Sequence, residues 1–116
     1  MEVATNLLEL LQQPPTIVIY RPDGQLSLDQ LRGMSEPNAI VCFRSETEAR
    51  QYLDPKLKGF RVAALSFEQW LEAISGEAEK GRTHLAIFQS LGDSILKSNF
   101  KISDVFSALK CQEGNQ

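Results

Sequence analysis

Two stretches of this chain show the same order of signals: a short apolar run followed directly by a helix start. Ala39–Phe43 is apolar throughout, which is typical of a buried strand, and Ser45–Glu48 then forms a capping box. Phe60–Leu65 and Ser66–Gln69 repeat that order. In such a box the serine oxygen accepts from the amide three residues on, and the third side chain reaches back. Two successive strand–helix units permit parallel strands covered by helices.

Hairpin and helix signals complete the predicted order of elements. Thr16–Tyr20 predicts a strand, Pro22–Gly24 a turn, and Gln25–Leu28 the return strand of a hairpin. Ser27–Gln30 is also a capping box, so residues 25–32 stay open between a strand and a short helix. A first helix is predicted with Thr5 as its cap and an apolar side of Leu7, Leu8, Leu10 and Leu11. The two capping boxes begin a helix with Ala49, Tyr52 and Leu53 on one face and a helix with Phe67, Trp70, Leu71 and Ile74 that ends near Gly76. The remaining predictions are a strand Thr83–Gln89, a short strand Ser94–Lys97 and a last helix capped by Ser103.

These elements predict a fold of the α+β class. The economical arrangement is a mixed sheet of about five strands with helices packed on it. The 116 residues are close to the commonest domain size, so we expect a single domain over residues 1–110. The polar residues 111–116 predict a disordered tail.

Composition argues against several classes of function. The net charge of −3 and the pI near 5.1 differ from the basic character of nucleic-acid binders. The longest apolar run, Ala39–Phe43, is far shorter than the about 20 residues of a membrane span, and Met1–Ala4 lacks the basic start of a signal peptide. Cys42 and Cys111 show neither metal-site nor disulfide spacing. We therefore expect a cytoplasmic protein that folds without a metal or cofactor and binds neither nucleic acid nor membrane.

The order of elements resembles the N-terminal domain of SseB-like proteins (enhanced serine sensitivity). The resemblance spans roughly residues 5–110. It rests, in order, on the turn at Pro22–Gly24, the strand Ile40–Phe43, the helix start Arg44–Ala49, the strand Phe60–Leu65, the helix around Phe67–Leu71 and the strand His84–Phe88. It implies an α+β fold in a cytoplasmic bacterial protein and carries over no catalytic residue. The chain departs from SseB-like domains at Gln89–Asp93, which contains no proline, so no ligand role is carried over to that turn.

Arginines after two predicted strands form one candidate binding site. Arg21 and Arg44 each follow such a strand, and if the strands are neighbours, both guanidinium groups and Asp23 could form a rim at one end of the sheet. Such a rim would recognise an anion or a partner; the alternative is a set of strand-end charges in solvent. Trp70 is a second candidate. Its place on an apolar helix stripe favours core packing, with a partner groove as the alternative.

Catalysis would have to use Cys42 and His84. A cysteine nucleophile needs a base and an orienting group, but the polar residues before His84 are Arg82 and Thr83, and Cys42 lies in an apolar run. The sequence therefore favours a non-enzymatic protein-interaction or regulatory module with an unknown protein partner. A small acidic immunity or antitoxin-type protein and an enzyme using Cys42 and His84 stay open as alternatives.

The distribution of charge allows self-association. Residues 67–82 are net acidic, and residues 44–61 are net basic. In a closed dimer each patch could meet its opposite around the two-fold axis. The sequence leaves two expectations: an ordinary monomer, or a weak homodimer whose association falls as salt rises.

Overall fold

Four helices and six strands make up the part of the chain that the computed structural model describes, residues 7–53, 56 and 58–114. The strands are β1 (Ile17–Tyr20), β2 (Leu28–Asp29), β3 (Ala39–Phe43), β4 (Arg61–Ala64), β5 (His84–Leu91) and β6 (Ser94–Lys101), and the helices are α1 (Leu7–Gln12), α2 (Glu46–Tyr52), α3 (Phe67–Glu79) and α4 (Ile102–Gly114). Five strands lie side by side in the order β4-β1-β3-β5-β6, and β2 pairs with β3. The predicted α+β class with a mixed sheet is confirmed.

One parallel pair makes the sheet mixed. β3 and β5 run parallel, with Ala39 opposite His84 and Phe43 opposite Phe88. β1 is antiparallel to both β3 and β4, and β6 is antiparallel to β5. β3, β4 and β5 therefore run in the same direction, and the chain returns between them through α2 and α3. The two strand–helix units of the sequence supply the connections that this arrangement requires.

Residues 21–25 form the predicted turn after β1, and the chain then returns along β1. Leu26 bridges Tyr20, and the Ser27 amide donates to the Ile19 carbonyl at 2.9 Å. β2 then pairs with β3, with Leu28 opposite Ile40, so β1 and β2 lie in succession along the same side of β3. Of the two alternatives that the sequence left open here, extended structure is correct, but the strand β2 covers only Leu28–Asp29, and Leu26 forms an isolated bridge. Leu26 and Leu28 pack towards the same core two residues apart, which is the period of a strand and not of a helix.

Buried side chains lie on both faces of the sheet because consecutive strand residues alternate between them. The three-helix face is covered by α1, α3 and α4. Its buried residues are Val18, Ile40, Cys42, Leu85 and Ile87 of the sheet, with Leu10, Trp70, Ile74 and Val105 of the helices. The opposite face, which we call the open face, is covered by α2 and a loop. Its buried residues are Ile17, Ile19, Val41 and Phe43 with Ala49 of α2, and Ala39 and Ala86 with Leu31 of the loop.

Serine caps begin α2 and α3, as predicted. The Ser45 hydroxyl accepts from the Glu48 amide, and the Ser66 hydroxyl accepts from the Gln69 amide, both at 3.1 Å. Gln69 completes its capping box by accepting from the Ser66 amide at 3.0 Å. Glu48 differs, because one of its carboxylate oxygens accepts from the amide of Ser90 on β5 at 2.6 Å. This hydrogen bond connects the start of α2 to β5, at a point of the sheet that lies beyond Phe43, the last residue of β3.

α3 is longer than the sequence predicts. The helix continues past Gly76 to Glu79, and Gly81 follows with a φ of +101°, the left-handed conformation that ends many helices. The amides of Lys80 and Arg82 both donate to the Glu77 carbonyl. The glycine that closes this helix is therefore Gly81 and not Gly76.

α4 begins without the predicted Ser103 cap. β6 leads directly into the helix at Ile102, whose amide donates to the Thr83 carbonyl at 2.9 Å and whose side chain is buried. The backbone of residues 111–114 is helical, where the sequence predicts a disordered tail. Residues 115–116, like the predicted cap Thr5, lie outside the described residues.

Three residues predicted on the apolar faces of helices are partly exposed. The exposed fractions are 61% for Leu8, 38% for Tyr52 and 39% for Phe67, whereas Leu10, Ala49 and Trp70 on the same helices are fully buried. Each helix therefore contacts the sheet along a stripe narrower than its run of apolar residues.

Candidate functional site

The predicted rim of Arg21 and Arg44 does not form. The two arginines follow β1 and β3, and because these strands are antiparallel, the residues after them lie at opposite ends of the sheet. Arg21 forms an exposed ion pair with Asp23, with 3.1 Å between Nη2 and Oδ2. Arg44 lies instead 3.5 Å from a carboxylate oxygen of Glu9 on α1. The predicted geometry is wrong because it assumed neighbouring strands that end together.

Arg44 is mostly buried where α1 meets the end of β3. Its side chain is 16% exposed, and its Nε and Nη2 atoms have no hydrogen-bond acceptor among the described residues. A buried guanidinium group loses hydration that a single carboxylate replaces only in part. The contact with Glu9 connects α1 to the sheet, so Arg44 is an internal residue and not part of an exposed surface.

Trp70 belongs to the core of the three-helix face. Its side chain has 0% exposure, which places it away from any surface groove. Its indole Nε1 makes no hydrogen bond of normal geometry among the described residues, although it lies close to the Cys42 sulfur. Of the two alternatives for Trp70, core packing is therefore correct and the partner groove is wrong.

Cys42 and His84 cannot act together in catalysis. Cys42 is buried on the three-helix face, whereas His84 aligns with Ala39 on the open face. Burial raises the pKa of the Cys42 thiol to about 12, and the Trp70 indole offsets this rise only in part. The thiol is therefore protonated at neutral pH and does not have the reactivity of a nucleophile. His84 Nδ1 lies 2.7 Å from Oγ1 of its neighbour Thr83.

An aromatic cluster marks the part of the open face that α2 leaves accessible. The rings of Phe43, Tyr52 and Phe88 have centroids 4.8 to 5.8 Å apart. Tyr52 is 38% exposed, and Ile95 on β6, which lines the same shallow depression, is 57% exposed. Burial of Tyr52, together with the nearby carboxylate of Asp29, raises the pKa of its hydroxyl. An accessible apolar surface therefore reaches the edge of the sheet.

β6 is the longest strand at an edge of the sheet, and no described strand pairs with its outer side. Its hairpin with β5 closes at Leu91 and Ser94 around Gly92, whose φ of +62° is typical of a two-residue type II′ turn. The closing pair of such a hairpin is hydrogen-bonded, and the pairs then alternate along an antiparallel ladder. The bond from the Ile102 amide to the Thr83 carbonyl follows the same alternation.

This alternation decides which backbone groups of β6 are available. The residues in the non-hydrogen-bonded pairs with β5 direct their amide and carbonyl groups away from the sheet. These residues are Ile95, Lys97, Asn99 and Lys101. All four are exposed, whereas Leu96, Ser98 and Phe100 between them are partly buried. β6 therefore presents a row of donors and acceptors that no other described strand uses, with an apolar residue at one end and two lysines along it.

The surroundings of this edge are of mixed charge. Lys97 Nζ lies 2.9 Å from the Asp29 carboxylate, which reaches it from β2. An open cavity of about 490 Å³ adjoins the other end of the edge. Its lining includes Arg32, His84 and Lys101 on the basic side and Asp104 on the acidic side.

Sequence reasoning found the start of β6 but missed the edge that it forms. The predicted short strand Ser94–Lys97 is half the length of β6, and the part that it leaves out contains Asn99, a residue depleted in strands. A signal is nevertheless present: Lys97, Asn99 and Lys101 recur every two residues, with the apolar Leu96 and Phe100 at alternate positions. That alternation indicates a strand with one solvent-facing side.

Comparison with known protein families, curated proteins and solved structures yields no match for this chain. Within the described residues, no group of three or more histidine, cysteine, aspartate or glutamate side chains is placed to hold a metal ion. In the same part of the chain, no helix has the length and apolar character needed to cross a membrane.

Proposed function

We propose that this chain is a non-enzymatic protein-interaction module that binds an extended segment of a partner protein along β6. The observation that carries the proposal is the eight-residue edge strand, with four exposed residues whose backbone groups are directed outward. A partner segment would continue the sheet by one strand. Its main chain would exchange hydrogen bonds with these residues, and its side chains would contact the open face.

The other edge of the sheet is less suited to this role. β4 has four residues, half the length of β6, and α2 packs against it. Arg61 on that strand covers the Tyr20 ring, with its guanidinium carbon 4.7 Å from the ring centroid. Short and covered edges discourage strand addition, whereas long exposed edges permit it.

The resemblance to SseB-like domains is part of the proposal. It agrees with a regulatory role in the cytoplasm and with the lack of a catalytic signature in the sequence. An immunity or antitoxin-type role would use the same surface to block an effector protein. The genes that adjoin the coding sequence would distinguish the two roles, because an immunity protein is encoded beside its effector.

Proline at position 99 tests strand addition. Asn99→Pro removes an amide that is directed outward and adds a ring on the outer side, while the ladder to β5 does not use that amide. Asn99→Thr is the matched control, because threonine keeps the amide and suits a strand. The probes are synthetic peptides with alternating valine and polar residues in acidic, neutral and basic versions.

We expect at least one peptide to slow hydrogen exchange at the amides of Ile95, Lys97, Asn99 and Lys101. Binding should persist in Asn99→Thr and be lost in Asn99→Pro, with unchanged circular dichroism in both. If no peptide binds, or if binding is equal in the proline and threonine variants, strand addition at β6 is wrong.

A further inference from the structure

We infer that the extended segment bound by β6 is acidic, with carboxylates opposite Lys97 and Lys101 and an apolar residue opposite Ile95. This inference rests on the proposed function above and adds the chemistry of the partner. It follows from the side chains of the four β6 residues whose backbone groups are directed outward. Two are cationic, one is a neutral amide and one is apolar.

The two lysines lie four residues apart on the same face of the strand, so each can contact the side chain opposite it on an added strand, and those two side chains are also four residues apart. Among the described residues, Lys101 makes no ion pair, and Lys97 is paired only with Asp29. That pair is partly exposed, and a second carboxylate can share the lysine without burying it. A partner with acids at these two positions therefore meets cations at both.

The wider surroundings favour an anionic partner near Lys101. Arg32 and His84 line the cavity beside this lysine together with the acidic Asp104. Near Lys97 the acidic residue is Asp29, which already has its partner. The charged groups along the edge are therefore balanced at Lys97 and net basic at Lys101, while the depression at the Ile95 end contains the acidic Glu48.

A second copy of the chain fits this edge poorly. In an antiparallel pairing of β6 with itself, outward-facing residues must meet outward-facing residues. The registers that place Lys97 opposite the other copy's Lys97 or Lys101 set like charges directly against each other, which is destabilising. The intermediate register pairs Lys97 with the other copy's Asn99. In that register each lysine still lies diagonally across from a lysine of the other copy, at a distance of about 7–8 Å. Lysines on edge strands oppose such self-pairing.

An apolar contact gives the segment an orientation. Ile95 is exposed at the turn end of β6 and continues the apolar surface of Tyr52 and Phe88. Antiparallel pairing is slightly more stable per residue than parallel pairing. An antiparallel segment would therefore carry its first acid opposite Lys101, its second opposite Lys97 and its apolar residue last.

Three synthetic peptides of one sequence frame test the inference. Each carries valine opposite Ile95 and threonine opposite Asn99, and the two positions opposite the lysines hold glutamate, glutamine or lysine. We expect the glutamate peptide to bind about tenfold more tightly than the glutamine peptide at low salt, which is the effect of two exposed ion pairs. The difference should shrink as salt rises, and the lysine peptide should bind most weakly.

The double variant Lys97→Glu/Lys101→Glu should reverse the order of the glutamate and lysine peptides. A glutamate peptide with N-methyl groups on the residues that face β6 should not bind the unchanged protein. This peptide provides the main-chain test even if Asn99→Pro fails to fold.

The outcomes separate the two proposals. If the glutamine peptide binds as tightly as the glutamate peptide, and N-methylation abolishes binding, the acidic partner is wrong and strand addition stands. If N-methylation has no effect, or no peptide binds, strand addition is wrong as well. If the free chain forms a dimer in sedimentation that Asn99→Pro abolishes, the occupant of the edge is a second copy, and the acidic partner is wrong.

Discussion

The two faces of the sheet draw on similar apolar strand residues but are covered to very different extents. On the three-helix face, Trp70 and Cys42 are completely buried under three helices. On the open face, the seven-residue α2 covers Phe43 but leaves Tyr52 at its last turn partly exposed. The surface beyond it continues over Phe88 to Ile95 on β6.

Under the proposed function, this difference predicts a division between stability and recognition. The three-helix face holds the largest buried side chain and the largest buried cluster, so it should contribute most of the apolar stabilisation. The open face and its edge hold accessible groups whose removal should matter less for folding. Substitutions on the two faces can therefore test whether the division holds.

The largest expected effect is that of Trp70→Ala, which should lower the free energy of unfolding by about 3–5 kcal/mol because it leaves a cavity under α3. Phe67→Ala, on the same helix but at a position that is 39% exposed, is the matched control and should cost about 1–2 kcal/mol, because its ring still contacts that of Trp70 with 5.9 Å between the centroids. Urea unfolding measures both values. If Trp70→Ala costs less than about 1 kcal/mol, the three-helix face is not the stabilising face.

A pH effect should come from Cys42. Burial raises its pKa from 9.0 to about 12, so the folded chain holds the thiol proton more tightly than the unfolded chain. This contribution is fully present below pH 9 and is lost as the pH rises towards 12, at no more than about 1.4 kcal/mol per pH unit.

The Cys42→Ala variant should lose this slope of stability against pH. Urea unfolding of both proteins between about pH 8 and pH 11 measures the difference, in which the titration of Tyr52 and other groups cancels. If stability changes with pH in the same way for both proteins, the pKa of Cys42 is not raised, and its side chain is less buried than in the structure.

Tyr52→Ala should have a smaller effect on the open face, a loss of about 1–2 kcal/mol, because the side chain is partly exposed. Tyr52→Phe keeps the three-ring cluster and should change stability by no more than about 0.5 kcal/mol. Urea unfolding again provides the values. A loss as large as that of Trp70→Ala would mean that both faces stabilise the fold equally.

The smallest expected effect is on self-association, which stays a prediction. Several charges of the two patches have partners within the chain: Arg44 with Glu9, Arg50 with Glu46, and Glu77 with Lys80 and Arg82. Each exposed pair across a dimer would contribute only about 0–1 kcal/mol. We therefore expect at most a weak dimer at low salt. Sedimentation at several concentrations measures it, and a constant monomer mass at high concentration and low salt would rule it out.

Much of the local structure could be predicted from the sequence. The buried strand at Ala39–Phe43 and the serine caps at Ser45 and Ser66 are present as predicted, and the α+β class follows from their order. These features depend on contacts within about four residues, which adjacent side chains decide by themselves. The turn at Gly92 is predictable for the same reason.

Long-range pairing decided the candidate site. The antiparallel pairing of β1 with β3 separates Arg21 from Arg44, and the parallel pairing of β3 with β5 places Cys42 and His84 on opposite faces. The full length of β6 and its free outer side likewise depend on its pairing with β5 and on its place at the end of the sheet.

The sequence alone thus determined most of the strands and helices, with errors in the length of β6, in the end of α4 and in the exposure of Leu8 and Phe67. The tertiary structure decided which strands are neighbours, in which direction they run and which edge is left unpaired. The physical reason is that strand pairing is made by backbone groups, which are the same in nearly every residue. Partner and direction are therefore selected by the packing of the whole sheet between its helices, and among the described strands that selection leaves the outer side of β6 without a partner.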